Sequence, residues 1–168
     1  MRAFLLLLVT LLLAPAANAQ ESFALAVEGW QQREGSDGVV YYRCASPSCA
    51  SGSVVSYKAQ PHRTALTLAE FEAHHRGLAE RNTGNGRIRT AKVTNSHERT
   101  IDGVRVMQIS REVVWTDGSS TQTIEARLIG PDKSFSLVSD SPKAESTKNN
   151  FEGFLRRMVD IAGIKAAR

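Results

Sequence analysis

The chain of 168 residues carries 21 Lys and Arg against 17 Asp and Glu, a formal net charge of +4, and is 42% hydrophobic. Its basic residues are spread rather than clustered, which excludes the electrostatic footprint of a nucleic-acid binder and leaves a mildly cationic, solvated surface. A single domain of this length buries roughly 70% of its unfolded surface, so folding requires neither a metal nor a dense disulfide network.

The chain opens MRAFLLLLVTLLLAPAANAQES. One positive charge at Arg2 precedes an apolar run from Ala3 to Leu13, and Pro15 and the small residues Ala17-Asn18-Ala19 follow. That order predicts a secretory signal peptide over 1–19, cleaved after Ala19. The apolar run is shorter than the roughly 20 residues needed to span a bilayer. A periplasmic or secreted protein is therefore expected, not membrane-spanning after cleavage, with residues 20–168 forming one domain. No cysteine follows the apolar run closely, which argues against a lipid anchor.

Phe23 to Trp30 alternates at first and suggests a first strand or an extended lead-in segment. Asp37-Gly38, a strong hairpin dipeptide, leads into Val39–Cys44 as a strand, and Ser53–Tyr57 forms another. Between them lies CASPSC, which holds the two cysteines of the chain. In an oxidising compartment such a pair tends to be bridged, and Pro47 with its flanking serines reads as the turn that brings Cys44 and Cys49 together. A redox motif would prefer two intervening residues at a helix N-terminus, and a zinc site would need further ligands, whereas His62 stands alone. A structural disulfide is the reading favoured.

Thr67 followed by Glu70 is a capping box, and Leu68, Phe71, His75, Leu78 and Ala79 share one helical face, so a helix is expected from Thr67 to near Asn82. From Arg87 to Ser139 the pattern turns to β: Ile88–Thr100, Val104–Trp115, Ser119–Ile129 and Ser134–Ser139, divided by Asp102-Gly103, Asp117-Gly118 and Gly130-Pro131-Asp132. In the third run Ile124, Ala126 and Leu128 alternate with Glu125 and Arg127, as one buried and one wetter face requires. Short connections imply an antiparallel meander. The final segment is helical again, with Pro142 suited to its first position and Ala144, Thr147, Phe151, Phe154, Leu155, Met158 and Ala162 in one stripe. Gly153, mid-helix, suggests a close helix-to-sheet approach, and Gly163 a C-terminal cap.

Chemistry-bearing groups are sparse. Glu70 and His74 lie at i and i+4 but make only two ligands, and His75 falls on the apolar stripe, so no metal site is assigned. Nucleophile elbows and phosphate-cradling glycine loops are missing, Asp102 and Asp117 sit in turns, and no catalytic residue or cofactor is assigned. The aromatics are the better surface markers. Tyr41 and Tyr42 must face opposite sides of a strand, and with Trp115 they are the candidate partner-binding residues.

The lead-in Gly29-Trp30, the capped helix from Thr67, TIDGVRVMQIS over 100–110 and FSLVSDSPKAESTKNNFEGFLRRMVDI over 135–161 resemble the PsbP-like fold. The resemblance implies an α+β protein, an α/β/α sandwich in which two helices cover opposite faces of a central antiparallel meander. Members of that fold are mostly accessory or binding proteins, and no catalytic residue carries over. The expected function is accordingly a non-enzymatic accessory domain of the cell envelope that acts through a protein partner. The alternative is a carrier of a small amphiphilic or anionic ligand held between helix and sheet by Arg87, Arg89, Arg105 or Arg127. A third reading, a hydrolase, would need a cleft collecting His62, His97 or His74 with carboxylates.

Overall fold

In the computed structural model, residues 23–35, 37–47 and 49–163 are described, so the predicted signal segment lies outside the described residues. The elements run β1 (Trp30–Glu34), β2 (Val40–Cys44), β3 (Val54–Gln60), α1 (Leu68–Asn82), β4 (Ile88–Ile101), β5 (Val104–Trp115), β6 (Ser120–Ile129), β7 (Ser134–Ser141) and α2 (Ala144–Gly163). All seven strands join one antiparallel sheet in the order β1-β2-β3-β7-β6-β5-β4. The meander β4 to β7 is the expected one. The join between β3 and β7, from Val54↔Asp140 to Gln60↔Ser134, unites the two halves of the chain.

Strand β5 shows how the layers are built. Val104 and Val106 point to one side and Met107 and Ile109 to the other, and all four are fully buried. A strand buried on both faces must be covered on both. On one side α2 contributes Phe151, Phe154, Leu155 and Met158 to a core with Tyr42, Val55, Tyr57, Leu128 and Leu137. On the other, α1 sets Phe71 against Val93, Met107, Ile109 and Ile129. Two helices on opposite faces of an antiparallel sheet make the α/β/α sandwich expected of a PsbP-like fold.

Local chemistry fixes the ends of these elements. Thr67 accepts from the Glu70 N–H at 3.2 Å and Glu70 accepts from the Thr67 N–H at 2.9 Å, a complete capping box that starts α1 where the sequence places it. Helix α2 begins at Ala144, two residues after Pro142, because Ser141 is still held in β7 and Lys143 supplies the first carbonyl, to the N–H of Thr147. Gly163 lies within α2, not beyond it. The segment before Trp30 forms no strand; it is pinned by the Tyr42 hydroxyl, which accepts from the Leu25 N–H at 2.7 Å and donates to Gln32 Oε1 at 3.1 Å.

Gly153 does not mediate close approach. A Cβ built there meets nothing within 4 Å, and the glycine that α2 closes upon is Gly130, in the β6–β7 turn. Gly153→Ala is therefore expected to raise the unfolding free energy by about 0.5 to 1 kcal/mol, through helix propensity alone, as read from a urea midpoint.

Cys44 and Cys49 are bridged, with their Cα atoms 5.8 Å apart. The bridge ties the end of β2 to the turn before β3, where Cys49 N–H donates to Ser46 O at 3.3 Å. Such a short loop removes little chain entropy on closure. Replacing both cysteines by serine is expected to lower stability by about 2 kcal/mol in equilibrium denaturation, with the urea dependence otherwise unchanged.

Candidate functional site

Helix α1 covers less of its side of the sheet than α2 does of the other. The register Tyr41↔Ser56, Ser56↔Val138, Val138↔Glu125 and Glu125↔Ile109 places Tyr41 on the same face as Ile109, the face of α1. Yet α1 lies over β4 and β5, and the strands beyond remain open. Tyr41 is 40% exposed, the one large hydrophobic side chain so exposed among the described residues. Its strand neighbours on this face are Arg33, opposite it on β1, and Arg43, two residues along β2; both are exposed. Neither arginine forms an ion pair with a described residue, whereas Lys58 on the same face is held by Asp37 at 3.6 Å. Arg33, Tyr41 and Arg43, with Gln31 and Val54, line a shallow cavity of about 690 Å³.

A second concavity runs between α1 and the sheet, about 440 Å³, walled by Leu66 and Phe71 and floored by Glu125, Arg127 and Ser136, with Arg63 and His74 on its rim. His75 comes from the apolar stripe of α1 and is 3% exposed, its ring edge-on to Phe71 at 4.5 Å. Its Nε2 stands 3.6 Å from Glu125 Oε1. That approach is no ion pair at neutral pH: burial first, then the charges of Arg111, His74 and Arg127, hold the imidazole down to about 4. The carboxyl of Glu125 is pushed up by burial, against the pull of Arg111 and Arg127. Arg111 is its partner, donating from a terminal nitrogen to Oε2 at 3.2 Å.

The sequence-predicted residues separate on this frame. Tyr42 is 1% exposed in the α2-side core, so it is withdrawn as a partner-binding residue: alternation put one tyrosine of the pair outside and this one inside. Trp115 is half-buried near the other edge of the sheet and donates from Nε1 to Thr121 Oγ1 at 3.3 Å. Of the four arginines proposed to hold an anion between helix and sheet, only Arg127 lines the groove. Arg105 is engaged internally, donating to the carbonyl of Leu66 and standing 3.7 Å from Glu98. Arg87 and Arg89 are exposed at the start of β4, where Arg87 borders a small depression with Trp115 and Asp117 and Arg89 reaches the Thr116 carbonyl at 3.5 Å.

The groups required by a hydrolase reading are not collected. His97 shares a face with Gln108, opposite to the face on which Ser96 bonds Glu72 of α1, so it is separated by the sheet from His74. His62 is placed 3.0 Å from Ser134 Oγ. Asp102 and Asp117 occupy the turns at opposite ends of β5. Among the described residues no three His, Cys, Asp or Glu side chains converge in a way that could hold a metal ion. No helix among them is long and apolar enough to cross a membrane.

Sequence reasoning missed Arg111 and Glu125. The alternation over 124–128 put Glu125 on the wetter face, but only the β5–β6 register shows that Arg111 reaches it.

No protein-family model matches the chain, and no curated protein is detectably similar to it in sequence. Among solved structures, the solution structure of cyanobacterial PsbP (CyanoP) from Synechocystis sp. PCC 6803 is similar over 80% of this chain and 94% of that one, with 14% identity and a TM-score of 0.48. The likeness is one of fold and assigns no role to any residue here.

Proposed function

We propose that this chain is a non-enzymatic binding domain of the cell envelope that acts through a protein partner, and that the partner offers an acidic segment to the open half of the α1-side face. The observation that carries this reading is the exposed Tyr41 between Arg33 and Arg43, two guanidinium groups without carboxylate partners among the described residues, on a sheet face that α1 leaves uncovered. Aromatic and arginine side chains are the usual anchors of protein interfaces, the ring for its area and the guanidinium for planar contact with carboxylates. The carboxylates of the separate groove between α1 and the sheet are engaged in structure, Glu125 with Arg111 and Glu70 in the helix cap, which supports recognition over catalysis. The signal-like first nineteen residues and the disulfide support an exported location.

The test is crosslinking and affinity capture of the oxidised protein from its own cell envelope, read by mass spectrometry, with Tyr41→Ala, Arg43→Glu and Trp115→Ala as variants. A stoichiometric protein lost in the first two and weakened by salt supports the reading, and its behaviour with Trp115→Ala shows how far the surface extends towards the β4 edge. A protein recovered equally by wild type and Arg43→Glu, or none at all, refutes it.

A further inference from the structure

Three arginines of β5 and β6 point to the α1 side, and each meets burial differently. Arg105 is bonded to the Leu66 carbonyl and lies beside Glu98; Arg111 is bonded to Glu125. Arg127 has neither arrangement. It is half-buried in the groove beside α1, forms no ion pair or side-chain hydrogen bond with any described residue, and its Nε is shut away from solvent without an acceptor. Buried Nε atoms without partners also occur on Arg99, Arg105 and Arg111, but each of those side chains is satisfied through a terminal nitrogen. A guanidinium removed from water needs a counter-charge.

The carboxylates in reach are already engaged. Glu125, two residues along the same strand, directs Oε2 to Arg111 and Oε1 towards His75. Glu70, at the rim, accepts from the backbone and hydroxyl of Thr67. The groove therefore keeps Arg127 at its floor and Arg63 at its rim as cations without ion-pair partners among the described residues, beside an imidazole whose buried Nδ1 also has no partner. Leu66 and Phe71 supply an apolar wall.

We propose that this groove binds a small organic monocarboxylate, its head on Arg127 and its apolar body against Leu66 and Phe71. A monoanion with an apolar body suits the site better than a phosphate. The carboxyls of Glu125 and Glu70 border the groove and repel a second negative charge, and the apolar wall offers nothing to a bare oxyanion. The site is independent of the protein-binding face around Tyr41, and either stands without the other.

The experiment is a titration of the isotope-labelled protein, followed by amide chemical shifts, with hexanoate, hexanol and inorganic phosphate as separate probes. Hexanoate is expected to give saturable shifts centred on Arg127, His75 and Ser136. Hexanol and phosphate are expected to bind at least tenfold more weakly. Arg127→Gln is expected to weaken hexanoate about tenfold or more, the scale of one lost charge-assisted contact, Arg63→Gln by less, and Arg127→Lys, which keeps the charge, to retain most of the affinity. Arg105→Gln is expected to change nothing. Hexanoate binding no tighter than hexanol, phosphate binding as tightly as hexanoate, or an unchanged affinity in Arg127→Gln would each overturn the proposal. Should Arg127→Gln lose its native spectrum, the wild-type protein decides: hexanoate binding at least tenfold tighter than both hexanol and phosphate upholds a charge-held head group with an apolar body, and a smaller margin overturns it.

Discussion

Gly130→Ala is expected to lower the unfolding free energy by about 3 kcal/mol, at the upper end of what one added methyl does in a packed site. Gly130 is buried at the end of β6, its N–H donating to the Lys133 carbonyl at 2.9 Å across the β6–β7 turn. A Cβ on it would overlap the carbonyl oxygen of Ala162 and stand 2.8 Å from the carbonyl carbon. The obstacle is backbone, so no rotamer change relieves it: either the turn or the last turns of α2 must move. Ala162 is fully buried and Met158, one turn earlier, is too, so lifting the helix also opens the core on that side. The relief available is fraying of α2 from about Met158 onward, which sets the upper limit on the loss. Urea denaturation measures the total, and hydrogen exchange along α2 separates fraying from global loss, since fraying deprotects only its last turns. A Gly130→Ala protein as stable as wild type would mean that α2 does not seat on this turn.

That glycine also marks where sequence reading reaches its limit. The pattern Gly130-Pro131-Asp132 predicts a turn, but the close neighbour comes from a helix some thirty residues later. The mid-helix Gly153, conspicuous in sequence because glycine opposes helix formation, proves to be surrounded by open space. Periodicity located the meander and both helices because those are local signals: Val104–Trp115 begins and ends where alternation says, and the Thr67 box starts α1. The β3–β7 pairing is not local, and no feature of Val54–Gln60 announces a partner eighty residues away. The site suffers for the same reason. Tyr41 and Tyr42 were separable only as opposites, and which faced solvent depended on where α2 lies. In sequence Arg127 is one of four equivalent arginines, and only the register sets it beside Ser136 in the groove along α1; nothing local to Arg111 points to Glu125, its partner on the next strand.

His75→Leu is expected to be more stable than wild type in acid and close to it at neutral pH. The imidazole lies among Phe71, His74, Glu125, Arg111 and Arg127, and burial with the nearby positive charges holds its folded-state value at about 4, against 6.5 for the unfolded chain. A depressed basic group gives the unfolded state the greater proton affinity, so wild-type stability falls as pH drops below about 6.5 and levels off below about 4. That interval integrates to about 3 kcal/mol, with about 2 kcal/mol already lost at pH 5. Glu125 and Asp140 act with the opposite sign: burial raises both carboxyls, so each takes up a proton in the folded state first and adds stability on acidification. Asp140 does not contact the ring and cancels in the difference between variant and wild type, which therefore reports the histidine together with its effect on Glu125, 3.6 Å away. At pH 7.5 leucine exchanges a neutral ring, whose Nδ1 has no partner and whose Nε2 is too distant from Glu125 for a good hydrogen bond, for an apolar side chain; a change within about 1 kcal/mol is expected. Between pH 7.5 and pH 5 the gap should move by about 2 kcal/mol in favour of His75→Leu, measured by urea denaturation at each pH. A gap that stays constant would mean that His75 gains its proton in the folded state as readily as in the unfolded one, which requires Glu125 to be ionised against it and Arg111 to be turned away.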